Sequence, residues 1–128
     1  MDHQYGQFDS WEILSDTVAV KTCDKSFFSY NGSGVSKGVC WFFHAEDLEQ
    51  GESIPIEILY NGMKYEGHVI NESTDRKRTR VFWKSDLGKL LKEYCDTENL
   101  QAIFCRETES CYALVLKQKE RGKTESVM

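Results

Sequence analysis

The chain has 128 residues, 40% hydrophobic and 29% charged, with 16 Lys or Arg against 21 Asp or Glu and a formal charge of −5. That length suits one domain around one core, and no apolar run approaches the roughly 18 residues that cross a bilayer. The N-terminal Met1-Asp-His-Gln-Tyr-Gly lacks the basic-then-apolar layout of a secretory signal, so a cytoplasmic setting without membrane contact is expected.

In chain order, Asp16–Thr22 alternates as a strand. Ser29–Gly38 holds three glycines with Asn and Ser and reads as a flexible loop. Val39-Cys-Trp-Phe-Phe43 reads as a buried strand, and a short helical turn is expected over Ala45–Gln50, closed by Gly51. Asn61-Gly62 is the favoured pair for a two-residue type I′ turn. It pairs Tyr60 with Met63, Ile58 with Tyr65, Ile56 with Gly67 and Ile54 with Val69, which puts these on one face. A basic loop from Asn71 then runs into a strand ending at Trp83. Leu87, Leu90, Leu91 and Tyr94, behind Ser85-Asp86, space as an amphipathic helix. Leu100–Cys105 and Cys111–Leu116 form a second hairpin across Glu107–Ser110.

The polar segment from Lys117 to Met128 is expected to fray. Residues 1–128 are one domain with a core over about 12–117 and a flexible tail at 118–128. The fold class is mainly β (α+β): a partly open antiparallel β-barrel, or pseudobarrel, of about seven strands with two short helices.

No nucleotide-binding, hydrolase or metalloprotease motif occurs, and the histidines His3, His44 and His68 are isolated. The five cysteines are odd in number and none forms a C-x-x-C pair, which indicates neither a disulfide framework nor a zinc site. Cys40, Cys105 and Cys111 lie in apolar stretches and read as core residues. Asp75-x-Lys77 with Glu57 or Glu66 loosely matches metal-dependent nucleases, but Asp75 sits in a turn-like loop where that chemistry needs rigid strands. Asp24-x-Ser26 is more often a strand end than a nucleophile with its partner. No catalytic residue, metal or cofactor is expected.

Binding chemistry stands out more clearly. Residues 75–92 hold seven Lys or Arg against two Asp, a local charge of +5 in an acidic chain. Positive charge beside an aromatic is the usual footprint of a phosphate-backbone contact. Arg78 and Arg80 alternate with Thr79 and Val81, so both are expected on one strand face, about 6.5–7 Å apart. At that spacing guanidinium groups span neighbouring phosphates or fork onto guanine edges. The competing role for Arg80 is an ion pair with Glu57 or Glu66. Glu46, Asp47, Glu49, Glu52 and Glu57 make a separate acidic cluster.

The Ser-x-Asn-Gly-Ser-Gly loop (29–34), the alternating strands and Arg76-x-Arg78-Thr79-Arg80-x-x-Trp83 together resemble the specificity (effector) domain of type IIE restriction endonucleases. That domain is a DNA-binding pseudobarrel related to plant B-three transcription-factor domains. Asp24-Lys-Ser-Phe-Phe28, Trp41-Phe-Phe43 and Thr79–Trp83 are also similar to modules found beside HNH endonucleases in prophages and restriction loci. The resemblance runs from about residue 16 to 116. It implies two arms that grip the DNA major groove. Ser29, Asn31, Ser33, Gly34 and Lys37 would belong to the first arm, and Asn71, Arg76, Arg78, Arg80 and Trp83 to the second. Arg76, Lys77 and Lys84 would contact phosphates, while Arg78, Arg80 and Asn31 would reach base edges. The chain departs from the family where Gly32 replaces the aspartate after the first-arm Asn. The function expected is a non-catalytic double-stranded DNA-binding module of a restriction, defence or phage system, with a nuclease or other defence protein supplied in trans. The alternative is a phage-type inhibitor or accessory protein that binds a host defence enzyme or an anionic nucleotide.

Overall fold

The computed structural model describes residues 4–72 and 78–119. Its strands are β1 (Gly6–Phe8), β2 (Trp11–Ile13), β3 (Val18–Thr22), β4 (Gly32–Val35), β5 (Ser53–Tyr60), β6 (Met63–Asn71), β7 (Thr79–Trp83), β8 (Leu100–Arg106) and β9 (Cys111–Gln118). Two α-helices, α1 (Lys25–Ser29) and α2 (Ser85–Leu91), accompany 3₁₀ segments at Lys37–Phe43 and Lys92–Tyr94.

The β5–β6 hairpin has the register that its alternation demands, with Tyr60 opposite Met63, Ile58 opposite Tyr65 and Ile54 opposite Val69. Asn61 and Gly62 take φ of 50° and 82°, the left-handed pair of a type I′ turn. Ile56, Ile58, Tyr60 and Val69 are buried, while Met63 at the turn is exposed. The second hairpin, β8–β9, also forms where expected.

One curled sheet takes in all nine strands in the order β1-β2-β3-β8-β9-β5-β6-β7-β4. The fold is a mainly β half-barrel, with more strands than the seven or so expected. The sheet is mixed rather than wholly antiparallel, because β5 and β9 run parallel. The extra strands were hard to see for physical reasons. β1 and β2 are three residues each, too short for alternation to register. β4 lies inside the Gly-rich stretch expected to be a loop, where glycine masks strand propensity.

Two further expectations are corrected. Val39–Phe43 belongs to a 3₁₀ segment, not a strand. A short apolar run does not by itself separate the two. This segment plugs the half-barrel: Phe43 packs on Trp11 at 5.7 Å, Phe104 at 5.7 Å and Tyr112 at 5.0 Å between ring centroids. The Tyr112 hydroxyl donates to the Phe42 carbonyl at 3.1 Å, which ties the plug to β9. Residues 45–50 form turns and no helix. The helix that does form elsewhere, α1, is capped by Asp24, whose carboxylate accepts from the Phe27 N–H at 3.0 Å. At the C-terminal end, Lys117 and Gln118 belong to β9. Residues 120–128 lie outside the described part.

Curling brings the ends of the sheet together. Trp11 Nε1 of β2 donates to the Gly34 carbonyl of β4 at 2.9 Å. Ser36 Oγ lies 3.1 Å from both the Phe8 carbonyl and the Asp9 carboxylate. On its other side β4 pairs with β7, Gly32 opposite Phe82 and Gly34 opposite Arg80. No helix among the described residues is long and apolar enough to cross a membrane.

A Cβ on Gly32 would run into the Val81 carbonyl oxygen and Phe82. Gly32→Ala is therefore expected to lower stability by about 1–3 kcal/mol, the usual range for forced overpacking. Urea unfolding of the variant beside the parent measures it.

Candidate functional site

Where β4 and the start of β7 face β2 and β3, a cleft of about 590 Å³ opens at the seam of the sheet. Lys21, Lys37, Arg78 and Arg80 line it, with Asp24 as the one carboxylate among its described walls. Burial works against the Asp24 carboxylate, but hydrogen bonds from Ser26 and the Phe27 N–H, with attraction from Lys21, outweigh it and hold the pKa below the usual value. Asp24 is thus ionised at neutral pH and committed to capping α1. The cleft keeps an excess of positive charge in an otherwise acidic chain.

The two sequence segments singled out for binding meet here. Ser33, Gly34 and Lys37 line the cleft from β4 and the residues after it, and Arg78 and Arg80 line it from the β7 side. Arg78 precedes β7 rather than lying in it, and is exposed. Arg80 is half-buried and stands opposite Gly34, which has no side chain to cover it. Its ion pair is with Glu72 at 3.7 Å, neither of the glutamates expected. Those two are engaged elsewhere, Glu57 with Lys64 at 3.7 Å and Glu66 with Lys84.

Other expected residues lie away from the cleft. Ser29 is exposed at the end of α1. Asn31, left-handed at φ 53°, lays its side chain against Gly88 of α2. Lys84 is paired with Glu66 on the surface. Trp83 is buried in the core, 5.1 Å from Phe27 between ring centroids, so it supports β7 from behind. Asn71 is buried at the end of β6, in a neighbouring cavity. Arg76 and Lys77 fall outside the described residues.

Lys21 was missed. It is 7% exposed, opposes Trp11 across the β2–β3 ladder, and holds its ammonium 5.9 Å from the Trp11 ring. Its ammonium donates to Ser10 Oγ. Burial lowers its pKa from the ordinary lysine value, against attraction from Asp24, Cys23 and Asp9. The signal was present as a lysine two residues beyond Ala19, on the inward side of an alternating strand. Tyr30, 68% exposed at the cleft wall, was also passed over.

All five cysteines are free, and burial pushes the half-buried Cys23 thiol up to about 12. No group of three or more His, Cys, Asp or Glu suited to a metal ion occurs among the described residues.

No protein-family model matches the chain. Among curated proteins it is similar to the tRNA-specific 2-thiouridylase MnmA of Rhodopirellula baltica, 37% identical over 43 residues. The match takes in 34% of this chain and 11% of that protein, too little to assign a family.

Two measurements check this electrostatic picture. Below the folded-state pKa of Lys21 the native protein carries a buried charge that the unfolded chain solvates freely. Between the lowered pKa and the ordinary value near 10.4, the unfolded state binds more protons, so stability rises with pH. Lys21→Met is expected to be at least as stable as the parent at pH 7, with its advantage shrinking as pH rises toward 10. Urea midpoints across that range read this out, and a large loss of stability at pH 7 would contradict it. With a thiol reagent at pH 8, exposed Cys95 is expected to react at once and Cys23 only on unfolding. Mass mapping of the labelled sites measures the order.

Proposed function

We propose that the domain is a non-catalytic double-stranded DNA-binding module of a restriction, defence or phage system, acting with a nuclease or other defence protein supplied in trans. The observation that carries this reading is the meeting of Ser33–Lys37 with Arg78 and Arg80 at one cationic cleft in a chain of net charge −5. Nucleic-acid affinity comes mainly from Lys and Arg displacing counterions from phosphates, so where the cations sit matters more than the total. In this reading exposed Lys37 and Arg78 neutralise phosphates. Arg80, steadied by Glu72, reaches a base edge, where a forked donor discriminates best. Gly34, exposed opposite Arg80, lets the DNA backbone come close to β4.

The exposed turns bearing Glu46, Asp47, Glu49 and Glu52 favour a second reading. There the chain is an inhibitor or accessory protein that sets this acidic face on a basic site of a host defence enzyme.

The two readings separate in a fluorescence-anisotropy titration of a short random duplex over a salt series. The DNA module binds in a salt-sensitive way. Arg80→Ala is expected to lose about 1–3 kcal/mol on a preferred site, and Arg78→Ala to lower the salt slope by about one. Absence of binding at low salt would overturn the reading in favour of the acidic-face partner.

A further inference from the structure

A second cavity, of about 450 Å³, adjoins the cleft and shares Val35, Lys37 and Thr79 with it. Its remaining lining is Cys40, Ala45 and Leu48 with two polar side chains, Glu46 and Asn71, and of these Asn71 is 3% exposed. The Asn71 amide nitrogen donates to the Leu48 carbonyl at 2.8 Å, and this bond sets which way the amide faces. Its Oδ1 is left buried with no hydrogen-bond partner. The backbone around it is held firmly: the Asn71 N–H donates to Glu52 O at 3.0 Å and its carbonyl accepts from the Gly51 N–H at 2.6 Å. Folded chains seldom leave a buried acceptor unpaired on a rigid strand, and such exceptions call for an explanation.

We infer that this cavity is a nucleobase pocket, taking one base that presents an exocyclic amine to Asn71 Oδ1 while its phosphate lies in the cationic cleft. The volume is within the range of small-ligand sites, roughly 300–1,000 Å³, and the lining sets an apolar wall of Val35, Cys40, Ala45 and Leu48 beside a few polar groups, as such sites do. Glu46 at the lining supplies a second acceptor for base N–H groups. Lys37, common to both walls, stands where a nucleotide would pass from one to the other. The same chemistry serves a base turned out of a duplex, which rests on the DNA-binding reading, or a free nucleotide, which does not. Turning a base out costs stacking and pairing that the pocket then offsets.

The test uses the full chain with two probes. One is a duplex carrying 2-aminopurine, whose fluorescence rises when the base leaves the stack. The other is adenosine 5′-monophosphate, followed by calorimetry. A several-fold rise in duplex fluorescence, lost in Asn71→Leu and in the pocket-filling Ala45→Leu, supports an extruded base. A binding heat for the mononucleotide that Ala45→Leu abolishes, with no duplex signal, supports a free nucleotide. If the unaltered protein gives neither signal, the inference is overturned, whatever the variants do. Anisotropy of an unmodified duplex keeps the two claims apart. Duplex binding with neither signal sinks only the pocket. Mononucleotide heat without duplex binding sinks only the DNA reading.

Discussion

Trp11 is where the two ends of the sheet are joined. It is 1% exposed, packs on Phe43 and Phe104, and spends its one donor on the Gly34 carbonyl of the opposite end strand. Indole suits the position because it offers a large apolar body with a single polar handle. The body belongs to the aromatic plug, and the handle reaches across the seam. The ladder also places Lys21 directly opposite Trp11, which carries an ammonium to the edge of the same seam. One pair of opposed residues thus links a contact that closes the half-barrel to one of the four cations of its cleft.

This placement makes sense of a basic site on an acidic protein. Beyond a Debye length, about 8 Å at physiological salt, the surrounding carboxylates are largely screened, whereas cations converging within one cleft act together. Glu57 and Glu66 are occupied by Lys64 and Lys84 on the hairpin and its neighbour, and Asp24 by the cap of α1. The one carboxylate in the described cleft wall, Asp24, is thus committed to that cap. Glu72, which touches Arg80 at 3.7 Å, orients that guanidinium without burying it. At 3.7 Å, between a half-buried guanidinium and an exposed carboxylate, the contact is loose, which leaves Arg80 free to exchange Glu72 for a stronger anion.

Parts of this were legible in the residues alone. Alternation from Ile54 to Val69 around Asn61-Gly62 gave both the hairpin and its register, because a slip of one residue would expose every Ile. The resemblance had put the Gly-rich stretch and the arginines in two arms; of these, Ser33, Gly34, Lys37, Arg78 and Arg80 line one cleft, while Ser29 and Asn31 do not. What escaped notice depended on contacts distant in the chain. The apolar run 39–43 folds as a 3₁₀ plug because Trp11, Phe104 and Tyr112 surround it, and no local period encodes that. Ser29–Gly38 looked like a loop because the partner that makes Gly32–Val35 a strand is β7, more than forty residues on. Trp83 was expected in the second arm by resemblance, while its alternation with the arginines left its face to the core or the cleft wall. It turned inward because Thr79, Val81 and Trp83 share the buried face of β7.

The most direct test of the account is a nitrogen–proton correlation spectrum of the labelled protein, titrated with a short DNA duplex. The account predicts that amide shifts concentrate at Gly32–Lys37, at Arg78–Arg80 and at Lys21, the three stretches that meet at the seam. Shifts confined to the acidic turns at Glu46–Glu52, or an unchanged spectrum at low salt, would contradict it.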